Sequence, residues 1–150
     1  KGNWRYDVEE PGFKCNMTDL QAAIGLVELE RYQENLERRK RIFELYDTAF
    51  KEENWALIPL HTTNEKITSY HLYQLRIIGI TENLRDKIMQ EIFNQDVSVN
   101  VHFLPLPTLT AYKNSGYNIN DYPETWDKYQ NEISLPVYFD LTDEQVQTVI

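Results

Sequence analysis

Pro11-Gly12-Phe13-Lys14-Cys15-Asn16-Met17-Thr18-Asp19 runs directly into Leu20-Gln21-Ala22-Ala23-Ile24-Gly25, and this junction decides the fold. Pro11-Gly12 forces a turn. Thr18 followed three residues later by Gln21 has the form of a capping box, in which each side chain satisfies a backbone N–H of the other. A helix therefore starts at Asp19 or Leu20. Leu20, Ala23, Ile24, Val27 and Arg31 recur at helical spacing, and Ala22 with Gly25 forms a small-residue face. Such a face suits close packing or a subunit contact, and equally an ordinary core helix.

Downstream, helical spacing resumes through Leu36, Arg39, Ile42, Phe43, Tyr46 and Phe50, with no Gly or Pro between Tyr32 and Lys51. The apolar stripe changes phase near Tyr32, which predicts two helices meeting at a bend rather than one rod. Arg38-Arg39-Lys40-Arg41 is the only basic cluster. Glu34–Arg38 and Glu37–Arg41 stand at i,i+4 in the favourable order, so intrahelical pairing is expected of it.

The remaining pattern alternates strands and helices. Trp55–Pro59 is a short apolar segment and 61–66 a polar loop. Ser69–Ile78 reads as a strand, with His71 expected as a strand histidine rather than a ligand. Thr81 can cap the next helix, in which Leu84, Ile88, Ile92 and Phe93 are expected to form the buried stripe. Val97, Val99, Val101 and Phe103 alternate strictly, predicting a half-buried strand. That period puts Ser98, Asn100 and His102 on the opposite face, which suits the rim of a site or a solvated surface. A Tyr-rich connection spans Thr108–Pro123, Glu124–Glu132 is a short helix, and Ile133–Val137 a strand held to an edge or end by Pro136. Thr142 and Gln145 form a second capping box. The reading is α/β: long N-terminal helices, then an α+β-like small domain with a mostly antiparallel three-stranded sheet covered by helices.

Composition narrows the function. The 150 residues carry 24 acidic against 15 basic side chains, a formal charge of −9. An acidic chain lacks the attraction that drives phosphate-backbone binding, so no nucleic-acid partner is expected. No apolar run approaches the ~20 residues of a membrane span, and no membrane partner is expected. The single cysteine, Cys15, gives no internal disulfide and fits a reducing, cytoplasmic setting. His61, His71 and His102 lack metal-ligand spacing, so no metal is expected. Cys15 with a distant His102 is only a weak nucleophile–base signal. The absence of an initiating Met and a helical pattern reaching Ile150 lead us to expect a piece of a longer protein.

Taken in order along the chain, several blocks resemble the DegT/DnrJ/EryC1/StrS sugar aminotransferases, which are pyridoxal-phosphate enzymes of fold type I. Gly12–Asp19 with Gln21–Leu26 looks like the family's loop and first helix. Arg38-Arg39 with Tyr46 resembles its second helix, and Ser69-Tyr70-His71-Leu72-Tyr73 with Arg76 a strand. Asn100-Val101-His102-Phe103-Leu104-Pro105-Leu106 resembles the next strand, Tyr112 with Gly116-Tyr117 its loop, and Ile133–Tyr138 with Leu141–Glu144 the closing strand and helix.

The resemblance implies a single C-terminal domain over 1–150, of the aspartate aminotransferase-like fold. Residues 1–19 would be a loop reaching the partner subunit, 20–52 the long helices and 53–150 a small α/β subdomain. It implies a homodimer acting on a nucleotide-linked keto-sugar with glutamate as donor, for surface-polysaccharide or amino-sugar synthesis. The large catalytic domain and its Schiff-base lysine would lie outside this chain, leaving it no catalytic residue of its own. The position of Asn16 reaches across to the cofactor phosphate in the other subunit. Many relatives instead carry Arg there and Asn where this chain has Lys14, and the Asn16 form is similar to the branch aminating C4. His102 and Phe103 correspond to the substrate-facing strand end, although Pro107 stands where relatives often have a second His. Arg76 could hold a donor carboxylate or serve structurally. Two alternatives share the fold: a non-catalytic binding or dimerisation module, and a pyridoxal-phosphate sugar dehydratase.

Overall fold

The computed structural model describes residues 15–150. The expected turn at Pro11-Gly12, the segment before it and Lys14 lie outside the described residues. The chain divides into two compact units, Lys1–Gln33 and Glu34–Ile150, and the division falls just inside the second helix.

In the first unit, helix α1 covers Asp19–Glu30. The capping box forms as its sequence predicts: the Gln21 N–H donates to Thr18 Oγ1 at 3.2 Å and the Thr18 N–H to Gln21 Oε1 at 3.0 Å. No residue of α1 is buried, and a Cβ added at Gly25 would meet nothing within 4 Å. Helix α2, Tyr32–Phe50, begins after a break at Arg31, where the apolar stripe changes phase.

The second unit is built on a three-stranded antiparallel sheet of order β1-β2-β3, with β1 at Ala56–Leu57, β2 at Tyr73–Ile77 and β3 at Glu132–Leu135. Register gives the sheet two unlike faces. Tyr73 pairs with Leu135 and Leu75 with Ile133, and directly opposed residues share a face. This apolar face meets α2: the Tyr73 ring lies 5.0 Å from Phe43 and 4.9 Å from Tyr46. Ile42, Tyr46 and Tyr73 are fully buried, and Val146 of helix α6, Asp143–Val149, joins the same core. The other face carries Gln74 opposite Ser134 and Arg76 opposite Glu132. All four are polar.

Two further helices close the unit around that polar face. Helix α3 is Glu82–Phe93 and α5 is Pro123–Gln130, with a five-residue α4 at Thr110–Asn114 between them. The expected stripe of α3 is only partly buried, with Leu84 and Phe93 exposed, and Thr81 stands at the N-cap without a side-chain bond. Buried Arg85 joins α3 to α5. Its Nη1 donates to the Tyr129 carbonyl at 2.7 Å, and its guanidinium lies 4.7 Å from the Tyr129 ring centroid.

Three sequence expectations are corrected here. Val97–Phe103 forms no strand; Asn100 makes only an isolated bridge to Ser134. The ladder stops because side chains take its next bonds. Asn100 Oδ1 accepts the Val101 N–H at 2.8 Å, and Glu132 Oε2 accepts the His102 N–H at 3.1 Å. The third strand is instead the two-residue β1. Second, β2 starts at Tyr73 rather than Ser69, after Tyr70 adopts a left-handed φ of 52°; His71 is exposed and outside the strand. Third, the basic cluster does not pair only along its own helix. Arg38 and Arg41 reach Asp143 at 2.5 and 3.8 Å, and Arg38 also donates to the Leu141 carbonyl, because α6 packs its acidic first turn against α2.

Candidate functional site

The polar face of the sheet floors an open cleft of about 600 Å³. Its walls include Leu57 and Leu60 on one side and Thr125, Lys128 and Tyr129 of α5 on the other, while Gln74, Arg76 and Glu132 come up from the sheet. His102 and Phe103, the two substrate-contact candidates, both line it. Phe103 is 74% exposed and its ring stands edge-on to His102 at 4.7 Å. An exposed aromatic beside a half-buried imidazole gives a ligand one apolar plane and one polar ring.

His102 is fixed on three sides. Its carbonyl accepts from Gln74 Nε2 at 2.8 Å, its N–H donates to Glu132, and its Nδ1 lies 2.8 Å from Ser134 Oγ. Ser134 in turn makes a short hydrogen bond to Glu132 Oε1. Burial pushes the Glu132 carboxyl above the usual carboxylate range, against the opposing pull of Ser134 and the His102 N–H. Sequence reasoning missed both Glu132 and Ser134. The signal was the alternation Glu132-Ile133-Ser134-Leu135, whose polar positions share a face with Gln74 and Arg76.

Arg76 lines the cleft but its guanidinium is already engaged. Nε donates to Asn131 Oδ1 at 2.8 Å and Nη2 to Asp127 Oδ2 at 2.6 Å. These bonds tie β2 to α5 and fit the structural role. Asn16, the cofactor-phosphate candidate, is exposed two residues before the N-cap of α1, in the other unit. Its neutral amide is a donor suited to a phosphate oxygen. The capping box occupies the Thr18 and Gln21 N–H groups and Asp19 adds a negative charge in the first turn, so the amide rather than the helix end would carry such a contact. Cys15 is likewise exposed. Among the described residues no group of His, Cys, Asp and Glu is placed to hold a metal ion, and no helix is long and apolar enough to cross a membrane.

Solved aminotransferases of fold type I share this arrangement of helices around a small antiparallel three-stranded sheet. This chain belongs to the DegT/DnrJ/EryC1/StrS aminotransferase family, which it matches over residues 1–150. It is 34% identical over 154 residues to the spore coat polysaccharide biosynthesis protein SpsC of Bacillus subtilis, covering 99% of this chain and 39% of that protein. Helicobacter pylori UDP-4-amino-4,6-dideoxy-N-acetyl-beta-L-altrosamine transaminase is 26% identical, with 95% of this chain and 38% of that protein covered. Among solved structures, a Streptococcus pneumoniae protein described as a sugar aminotransferase superimposes in its PLP-form with a TM-score of 0.86 and 42% identity, over 99% of this chain and 38% of that one. The same protein was also captured in a PMP-form, and pyridoxal phosphate is the cofactor of this family. The chain thus spans less than two-fifths of the length of these relatives.

Proposed function

We propose that this chain is the C-terminal portion of an aminotransferase that moves an amino group, from glutamate, onto C4 of a nucleotide-linked keto-sugar for surface-polysaccharide or amino-sugar synthesis. The observation that carries this reading is the family match over residues 1–150, with sugar aminotransferases among the relatives, together with a cleft that gathers His102 and Phe103. The 4-amino sugar in the name of the Helicobacter relative supports C4, as does the Asn16 form of the loop.

Bound pyridoxal phosphate would supply the electron sink for amino transfer. The residues of this chain bind and orient. Asn16 donates its amide N–H to the cofactor phosphate held by the other subunit of a homodimer, and His102 and Phe103 hold the sugar nucleotide. The lysine that carries the cofactor lies in the part of the protein outside this chain, so the chain alone is inactive. The apolar residues Leu20, Ile24 and Val27, exposed on α1, support burial of this helix in a larger assembly.

The test uses a protein of the relatives' full length carrying this chain. It should hold pyridoxal phosphate by absorbance, sediment as a dimer and convert glutamate to 2-oxoglutarate only with a nucleotide 4-keto-sugar. Asn16→Ala should weaken cofactor affinity about tenfold, the effect of losing one hydrogen bond to a charged group. Unchanged affinity would remove Asn16 from the cofactor site.

A further inference from the structure

The floor of the cleft contains a chain of three polar groups whose protons can be counted. Glu132 is 5% exposed and Ser134 3%. Glu132 Oε2 receives the His102 backbone N–H, Glu132 Oε1 is bonded to Ser134 Oγ, and Ser134 Oγ is bonded to His102 Nδ1. A serine hydroxyl has one proton to give and lone pairs to receive. With Glu132 ionised the carboxylate only accepts, so the Ser134 proton goes to Glu132. Ser134 can then only receive from His102, which places the proton of the neutral ring on Nδ1 and leaves Nε2 a bare acceptor. The alternative puts the proton on Glu132, reverses the hydroxyl and gives an Nε2–H. The Asn100 amide nitrogen, a donor 3.5 Å from Nε2, agrees with the first arrangement.

We propose that Glu132, acting through Ser134, is a positioning residue that holds His102 as its Nδ1–H tautomer, so that a ligand group that donates can displace the long Asn100 contact and bond to Nε2. A sugar hydroxyl or an amino group satisfies this; a phosphate or carboxylate does not. The ligand half rests on the reading of His102 as a substrate contact, while the tautomer rests on the Glu132–Ser134–His102 hydrogen bonds with Glu132 ionised. Glu132 is thereby a specificity determinant that acts through His102.

The experiment reads the tautomer directly, by nitrogen NMR of a ¹⁵N-histidine-labelled protein of the relatives' full length over a pH series, at the pH values where the spectrum itself shows a neutral ring. Loss of signals in His102→Asn identifies the ring. The native protein should show a protonated Nδ1 and a bare Nε2. In Glu132→Gln the amide oxygen still accepts the His102 N–H while its NH2 donates to Ser134, so the hydroxyl turns toward Nδ1 and the tautomer inverts. A native Nε2–H, or a variant ring that does not invert, overturns the relay. If circular dichroism shows Glu132→Gln misfolded, Ser134→Ala decides: a ring still wholly Nδ1–H there overturns the relay, and a mixed ring supports it. In the amination assay, Glu132→Gln should raise KM for the keto-sugar about tenfold with kcat little altered, the cost of one misdirected hydrogen bond. An inverted ring with unaltered KM overturns the ligand half and removes His102 from the proposed substrate site, leaving the relay intact.

Discussion

At the scale of single residues, two carboxyl groups respond to pH in opposite senses. The Arg38 hydrogen bond, at 2.5 Å, holds the exposed Asp143 carboxyl below its usual value, with the charges of Arg38 and Arg41 adding to it. A depressed folded-state value means that the unfolded chain binds more protons in that window. The contribution of Asp143 is therefore present above the ordinary aspartate range and lost as pH falls through the depressed value. Glu132 is the converse. Burial raises its carboxyl, so its contribution is largest when protonated and is lost as pH rises through the raised value. Thermal midpoints measured across pH should show the deficit of Asp143→Asn shrinking toward zero on acidification. Glu132→Gln should instead gain on the native protein as pH rises. Parallel curves for either variant would refute the assignment of that carboxyl.

At the scale of elements, the same capping box occurs twice with different consequences. In α6 the Gln145 N–H donates to Thr142 Oγ1 at 3.2 Å and Thr142 N–H to Gln145 Oε1 at 2.8 Å, and the helix then buries Val146 completely. Thr142→Ala should lower unfolding stability by about 1 kcal/mol, read from urea denaturation, because loosening this cap loosens a core helix. Both boxes were legible in the sequence because capping is local: Thr and Gln three residues apart carry all of it. The strand proposed at Val97–Phe103 was not, because its alternation is real while its ladder bonds are taken by the Asn100 and Glu132 side chains. Nor was β1, since two residues have no period. His102 and Phe103 could be placed near a site, but Glu132 and Ser134 became visible only when β2–β3 register set them beside Gln74 and Arg76. That register is a long-range pairing, invisible to any local pattern.

At the scale of the whole molecule, buried surface is distributed unevenly along the chain. Within Glu34–Ile150 the residues Ile42, Phe43, Tyr46, Tyr73, Leu75, Ile133, Leu135 and Val146 share one core. In α1, by contrast, Leu20, Ile24, Leu26, Val27 and Leu29 are all more than half exposed, and a helix of 12 residues is marginal in water without a packed face. Local opening costs least where few apolar contacts must be broken. Amide hydrogen exchange on the 150-residue chain should therefore find the α1 interior, Ala23–Leu29, exchanging orders of magnitude faster than Phe43–Phe50 of α2 or Ile133–Leu135 of β3. Equal protection in α1 and β3 would refute this distribution of stability. In a protein of the relatives' full length, the same α1 amides should become slow if the helix is buried in the assembly that the proposed function requires. If they stayed fast there, the exposed apolar residues of α1 would have no covering partner, and the subunit role proposed for this helix would fall while the cleft on the polar sheet face stood unchanged.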